Sequence, residues 1–70
     1  MDNRRLNEFR VAATEAFGID DVHHTGVYSL ECRCITLASL VHFAELARIP
    51  AENLDICGDY SGWVVLEWTE

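Results

Sequence analysis

The apolar residues of the first seventeen positions recur at the spacing of an α-helix. They lie three or four residues apart on one helical face: Leu6, Phe9, Ala13, Ala16 and Phe17. Asp2 or Asn3 can serve as the N-cap, and Gly18 is placed as the C-terminal stop. The pattern therefore predicts an amphipathic helix of about four turns at the start of the chain.

Residues 19–26 show no periodicity, and we predict a loop there. From Val27 onward apolar and polar side chains alternate strictly. One face of the alternating run would carry Tyr28, Leu30, Cys32 and Cys34, and the other Ser29, Glu31 and Arg33. Alternation of this kind is typical of a half-buried β-strand.

A second helical pattern follows, with Thr36 as its cap and Pro50 beyond its end. Its predicted buried stripe consists of Leu37, Leu40, Val41, Ala44 and Ala47. The alternative is one longer helix that begins at Ser29, because Leu30 and Cys34 also fit the same stripe. The sequence leaves both interpretations of residues 29–36 open.

The C-terminal third contains two short apolar runs, residues 54–57 and 62–68, joined by residues 58–61, and this predicts a β-hairpin. Val64, Leu66 and Trp68 would face the helices, whereas Trp63 and its neighbours in alternation would face away. The predicted fold class is α+β in the order helix, strand, helix, strand, strand: a three-stranded sheet with two helices on one face.

Length and composition indicate one small acidic domain over residues 1–70. Half of the residues are hydrophobic, and the longest uncharged stretch, residues 34–44, is far shorter than the roughly 20 residues that span a bilayer. We therefore expect a folded cytoplasmic protein without a membrane partner. The odd number of cysteines favours reduced thiols.

Cysteine and histidine side chains provide the residue types for an alternative function, a small thiol or metal-dependent enzyme. The candidates are Cys32, Cys34, His23 and His24, with Cys57 as a further thiol. Paired zinc ligands usually lie two to four residues apart in a turn, whereas Cys32 and Cys34 are separated by one residue in an alternating run. We expect both thiols in the core, and no metal or other cofactor.

The second half of the chain, from Leu30 onward, resembles the core of the transglutaminase-like thiol enzymes. In that family a Cys begins a helix, an Ile-Pro-Ala turn leads into a strand, and a His precedes an aromatic-Val strand. The resemblance implies Cys32 or Cys34 as the nucleophile, and residues 49–51 match the turn. Residues 61–62, Ser-Gly, stand where the His is needed, and a thiol without a base is mostly protonated near neutral pH. We therefore predict no enzymatic activity.

Charge is distributed unevenly along the chain. Twelve acidic residues face five basic ones, all of them Arg, for a net charge of -7. Three Arg lie within the first ten residues, and none follows Arg48. The acidic, aromatic C-terminal segment supplies the predicted partner-binding residues: Asp55, Asp59, Tyr60, Trp63, Glu67 and Glu70. Such a surface repels nucleic acid and attracts basic protein surfaces.

In size, acidity and lack of a catalytic motif, the whole chain resembles the anti-CRISPR proteins, small phage-encoded inhibitors of CRISPR effector complexes. The resemblance is one of type, and no motif carries it. It implies an inhibitor in the cytoplasm of the host cell, whose partner is a Lys/Arg-rich protein surface such as that of a CRISPR effector subunit. A third interpretation is a structural or regulatory module that dimerises through a sheet edge, so both monomer and homodimer stay open.

Overall fold

Two helices and a four-stranded antiparallel sheet form the part of the chain that the computed structural model describes, residues 3–33 and 35–70. The elements in chain order are α1 (Asn3–Phe17), β1 (Val22–Gly26), β2 (Ser29–Cys32), α2 (Leu37–Ala47), β3 (Leu54–Tyr60) and β4 (Trp63–Trp68). The strands lie in the order β1-β2-β4-β3. The predicted α+β class is confirmed, whereas the sheet has four strands and not three.

The additional strand, β1, lies in residues 19–26, where the prediction of a loop was wrong. A 3-10 turn at Ile19–Asp21 precedes it, and a two-residue connection joins it to β2, with Gly26 opposite Ser29. His24 lies opposite the buried Leu30, on the helix side of the sheet. Because a polar histidine takes this inward position, the sequence of β1 does not show the alternation of apolar and polar residues that indicates a strand.

Helix α1 ends as predicted, because Gly18 adopts a φ of 95°, which side chains disfavour, and its N–H donates to the carbonyl of Thr14. Asn3 lies within the helix and is therefore not its cap. The alternative cap, Asp2, lies outside the described residues, as does Cys34. Within residues 3–33 and 35–70, neither helix has the length and apolar character needed to cross a membrane.

Helix α2 begins with the predicted cap: Thr36 accepts from the N–H of Ser39, and the Ser39 hydroxyl accepts from the N–H of Thr36. The alternative helix from Ser29 is wrong, because Ser29–Cys32 is β2. The predicted stripe is also partly wrong. Phe43 is fully buried, whereas Leu37 is 78% exposed and Val41 43% exposed.

The core lies between the two helices and one face of the sheet. Trp68 of β4 makes edge-to-face contacts with Phe9 of α1 and Phe43 of α2, both with ring centroids 5.3 Å apart. The other fully buried members of this core include Leu30 and Leu66, from the two central strands. Both helices therefore cover the same face, as predicted, and no described helix covers the opposite face.

The C-terminal hairpin is tighter and longer than predicted. Strand β3 continues to Tyr60, and a two-residue turn at Ser61 and Gly62 leads into β4. Both turn residues have positive φ, 54° and 86°, as a type I′ turn requires. A shift of register between Ile56 and Gly58 marks a β-bulge at Cys57, and this bulge changes which side chains of β3 share a face.

Candidate protein-binding face of the sheet

The face of the sheet opposite the helices collects side chains from all four strands. We call it the outer face, and the register of the strands assigns to it His23, Ser29, Glu31, Asp55, Tyr60, Trp63, Val65 and Glu67. Arg33 lies on the same face, over the ring of Trp63. These residues are exposed or half-buried, and none is in the core. Four of the six predicted partner-binding residues therefore lie on one surface.

Two carboxylates stand directly opposite each other on the outer face. Asp55 of β3 pairs with Glu67 of β4, so their side chains project on the same side of adjacent strands. Like charges at directly opposite positions destabilise a sheet by roughly 0.2 to 1 kcal/mol. Neither carboxylate forms an ion pair with a basic side chain among residues 3–33 and 35–70. No described ion pair therefore offsets the repulsion between the two carboxylates, although Cys57 is hydrogen-bonded to Glu67.

A third carboxylate, Glu31, extends this acidic region onto β2. Glu31 lies opposite Val65 of β4 and opposite His23 of β1, with 3.2 Å between its Oε2 and the His23 Nε2. The sequence places Glu31 on the polar side of its strand. It does not show that β2 lies beside β4, and for that reason our prediction missed Glu31 as a site residue.

An aromatic pair occupies the hairpin end of the outer face. Tyr60 lies opposite Trp63 and is 66% exposed, and its ring packs over Gly58, where a Cβ would lie 2.9 Å from a ring carbon. Trp63 is half-buried, because the guanidinium of Arg33 lies 4.9 Å from its ring and the His23 ring 4.7 Å away. Tyr60 is thus the more accessible aromatic of the two.

The two remaining predicted residues lie elsewhere. Asp59 is exposed but pairs with Val64, which places it on the helix side of the sheet, because the bulge reverses the alternation. Glu70 forms an ion pair with Arg5 of α1. The sequence pattern predicted Asp59 in the connection between two strands, whereas it lies within β3, beyond the bulge.

Four of the five Arg lie in the helical layer, away from the acidic region. Arg5 and Arg48 both pair with Glu8, and Arg5 also donates to the last carbonyls of α2 at Ala47 and Arg48. These bonds lower the pKa of Glu8, mainly through the hydrogen bond from Arg48 and then that from Arg5. Arg4, Arg5 and Arg10 are all residues of α1. They therefore belong to the helical layer.

Arg33, which follows β2, lies on the outer face because its guanidinium lies over the Trp63 ring. Its Nε lies 2.7 Å from an oxygen of Asp21. This ion pair lies outside the acidic region formed by Glu31, Asp55 and Glu67.

The described residues of the alternative enzyme, Cys32, His23 and His24, do not form one site, and Cys34 lies outside the described residues. Cys32 is fully buried, and burial raises the pKa of its thiol to about 11. His23 and His24 project to opposite faces of β1. Cys32 is the last residue of a strand, whereas the nucleophile of the transglutaminase-like pattern begins a helix. In the described part of the chain, no three His, Cys, Asp or Glu side chains form a group that could hold a metal.

Comparisons with known proteins give this chain no family. A scan against protein-family models, a search of the curated proteins and a search of the solved structures each found no match. The arrangement of its own residues is therefore the basis for inferring what this small α+β protein does.

Proposed function

We propose that this protein is a non-enzymatic inhibitor that binds a basic surface of a partner protein through its outer face. The observation that carries the proposal is the Asp55–Glu67 pair, two carboxylates directly opposite each other on a face that no described helix covers. This pairing of like charges does not stabilise the fold. Residues that destabilise a fold are typical of functional surfaces, where stability is exchanged for binding.

The physical mechanism combines steering with local contact. Glu31, Asp55 and Glu67 create a negative potential that attracts Lys and Arg side chains and accelerates encounter with a basic partner. Tyr60, exposed at the hairpin end of the same face, provides an aromatic group that loses water on contact and slows dissociation. Charge thus acts on association and the aromatic side chain on dissociation.

A protein that binds nucleic acid offers a suitable basic surface. Its groove is lined with Lys and Arg that neutralise phosphates, and carboxylates on a small rigid domain compete for the same cations. We propose a CRISPR effector subunit as one such partner, which corresponds to an anti-CRISPR role in the host cytoplasm. The protein itself, with a net charge of -7, has no attraction for nucleic acid.

The thiol chemistry has less support. A nucleophilic Cys needs a thiolate, and burial holds the Cys32 thiol in its protonated form at neutral pH. Cys57 is exposed, but desolvation and then hydrogen bonding to Glu67 raise its pKa too. Neither thiol has the low pKa that activates a catalytic cysteine.

Two variants with the same net charge test the proposal. The face variant carries Glu31→Gln, Asp55→Asn and Glu67→Gln. The control variant carries Glu15→Gln, Glu45→Gln and Glu52→Gln, three exposed acids outside the outer face. Affinities are measured by calorimetry for a panel of purified CRISPR effector complexes and other nucleic-acid-binding proteins.

We expect at least one member of the panel to bind the parent protein. The face variant should bind that member about tenfold more weakly or worse, and the control variant within about twofold of the parent. Equal losses in both variants would show that net charge alone is responsible. Tight binding of the isolated protein to DNA or RNA would also contradict the proposal.

A further inference from the structure

We infer that the free edge of β3 and the apolar groove beside it bind an extended segment of the partner, which adds as a fifth strand to the sheet. The segment would alternate apolar and basic side chains. This inference deepens the proposed function and takes from it only the basic character of the partner. It adds a location and a binding mode that the outer face does not itself require.

The groove lies between α2 and β3 on the helix side of the sheet. Its floor is formed by Leu54 and Leu66, and its rims by Leu37, Val41 and Ile56. None of the described residues that line it is charged. The rim side chains are unusually exposed for aliphatic residues at 78% for Leu37, 43% for Val41 and 60% for Ile56. A contiguous exposed apolar patch on a small protein is typical of an interaction surface.

The backbone next to this groove belongs to an edge strand. Strand β3 pairs with β4 on one side, and the sheet order places no described strand on its other side. An edge strand offers backbone N–H and C=O groups to an incoming extended chain. The apolar side chains of such a chain would lie beside Ile56 and enter the groove, because side chains on one face of adjacent strands are neighbours.

Charge selects the occupant of this edge. Asp55 lies on the outer side of β3 and Asp59 on its groove side, so both faces of an added strand would meet a carboxylate. Lys or Arg on the outer side of the added strand would lie beside Asp55, whereas an acidic segment would be repelled by both carboxylates. The edge therefore favours a basic segment.

A second copy of this chain is the less favourable occupant. An antiparallel pairing of β3 with itself would bring the Asp55 and Asp59 carboxylates of both copies onto one pair of strands. Each copy also carries a net charge of -7, so the two would repel each other. Acidic residues on an edge strand are a known means of preventing self-association.

The test uses a seven-residue peptide of alternating Val and Arg, which matches the length of β3. One control peptide alternates Val and Glu, and a second carries N-methyl groups on alternate amides, which blocks strand pairing. Binding to the full chain is followed by NMR amide shifts and hydrogen exchange. We expect the Val/Arg peptide alone to bind and to protect amides of β3.

Two matched double variants locate the peptide. Leu37→Gln with Ile56→Thr should weaken binding about tenfold, because both apolar rim contacts are lost. Val11→Gln with Leu46→Gln removes aliphatic side chains of similar exposure, 60% and 42%, from α1 and α2 and should change affinity less than about twofold. All four positions are exposed, and circular dichroism checks that each variant is folded.

Three results would overturn the inference: unchanged binding of the Leu37/Ile56 variant, equal binding of the N-methylated peptide, or protection of amides outside β3. A dimer of the protein that the Leu37/Ile56 variant dissociates would also overturn it, in favour of a second copy. These peptide results do not depend on the face variant. The peptide experiment can therefore contradict the groove inference while the outer face still binds a whole partner. The face variant can likewise contradict the proposed function while the peptide still binds the groove.

Discussion

Cys32 and Cys57 differ in the property that decides thiol reactivity, the access of solvent to sulfur. Cys32 is fully buried in β2, whereas Cys57 is exposed at the bulge of β3. In a Cys34→Ser background we expect a thiol reagent to modify one group in the native protein, and Cys57→Ser to abolish that reaction. The measurement is the stoichiometry of labelling at neutral pH. Rapid modification of Cys32 would restore the thiol enzyme as a candidate.

His24 makes the stability of the fold depend on pH. Its pKa is lowered from the ordinary 6.5, first by burial and then by the charges of Arg10 and His23. The unfolded chain therefore binds more protons below pH 6.5, so the free energy of unfolding falls as pH decreases through this value. The lowered pKa of Glu8 acts in a separate window, below 4.5.

We expect the melting temperature of the parent to fall more between roughly pH 7.5 and roughly pH 5.5 than that of His24→Gln. Calorimetry or circular dichroism measures both slopes. His42→Gln, which removes an exposed imidazole from α2, is the control and should retain the parent's slope. Identical slopes for parent and His24→Gln would show that His24 is not the responsible group.

At the scale of elements, substitutions in α2 can test which side of this helix packs in the core. Phe43 is fully buried between Phe17 and Trp68, whereas Leu37, which the sequence pattern placed in the core, is mostly exposed. Phe43→Ala should cost about 3 to 5 kcal/mol, comparable with the whole stability of a small domain, and leave the protein largely unfolded at physiological temperature. Leu37→Ala should change stability by less than about 0.5 kcal/mol.

Urea denaturation compares the two variants of α2 directly. A Phe43→Ala variant as stable as Leu37→Ala would contradict the packing of this helix. The result also bears on the groove, because Leu37 is free to contact a partner only if the core does not need it.

The Asp55–Glu67 pair of the hairpin leads to a prediction about stability. Because Asp55 and Glu67 repel each other, either Asp55→Asn or Glu67→Gln should raise the free energy of unfolding by roughly 0.2 to 1 kcal/mol. The double variant should gain less than the sum of the single variants, because either change removes the same repulsion. Asp59→Asn, opposite the uncharged Val64, is the control. Additive gains would show that the two carboxylates do not interact.

The elements differ in how far the sequence predicts them, for physical reasons. The caps of α2 and the end of α1 are local, so Thr36 and Gly18 indicate them directly. β1 was missed because His24 takes an apolar position, and that burial depends on α1. Leu37 fits the stripe of α2 as well as Phe43 does, and only tertiary packing decides which of the two is buried.

In the candidate site, too, the sequence predicts features that depend on neighbouring residues and not those that depend on strand pairing. Alternation along β4 predicts that Trp63 and Glu67 face away from the helices. The bulge at Cys57 and the position of β2 beside β4 depend on strand pairing, so the sequence did not indicate that Asp59 lies on the helix side or that Glu31 lies on the outer face beside β4. Glu70 was assigned by charge alone, and its partner, Arg5, is distant in sequence.

At the scale of the whole molecule, the fold places four of the five Arg on the helix side of the sheet. Arg5 and Arg48 form ion pairs beside the helices, while Glu31, Asp55 and Glu67 lie together on the opposite side of the sheet. A net charge of -7 alone would repel nucleic acid from every direction. The grouping of these three carboxylates gives the attraction toward a basic partner a direction.

The most direct test is the association rate with a bound partner, measured by surface plasmon resonance from about 50 to about 300 mM salt. Screening shortens to about 8 Å at physiological ionic strength, so the parent's association should slow steeply as salt rises. The face variant should associate slowly at all salt concentrations, with a shallow slope, while the control variant follows the parent. If parent and face variant share one association rate and one slope, the outer face does not steer binding and the account is wrong.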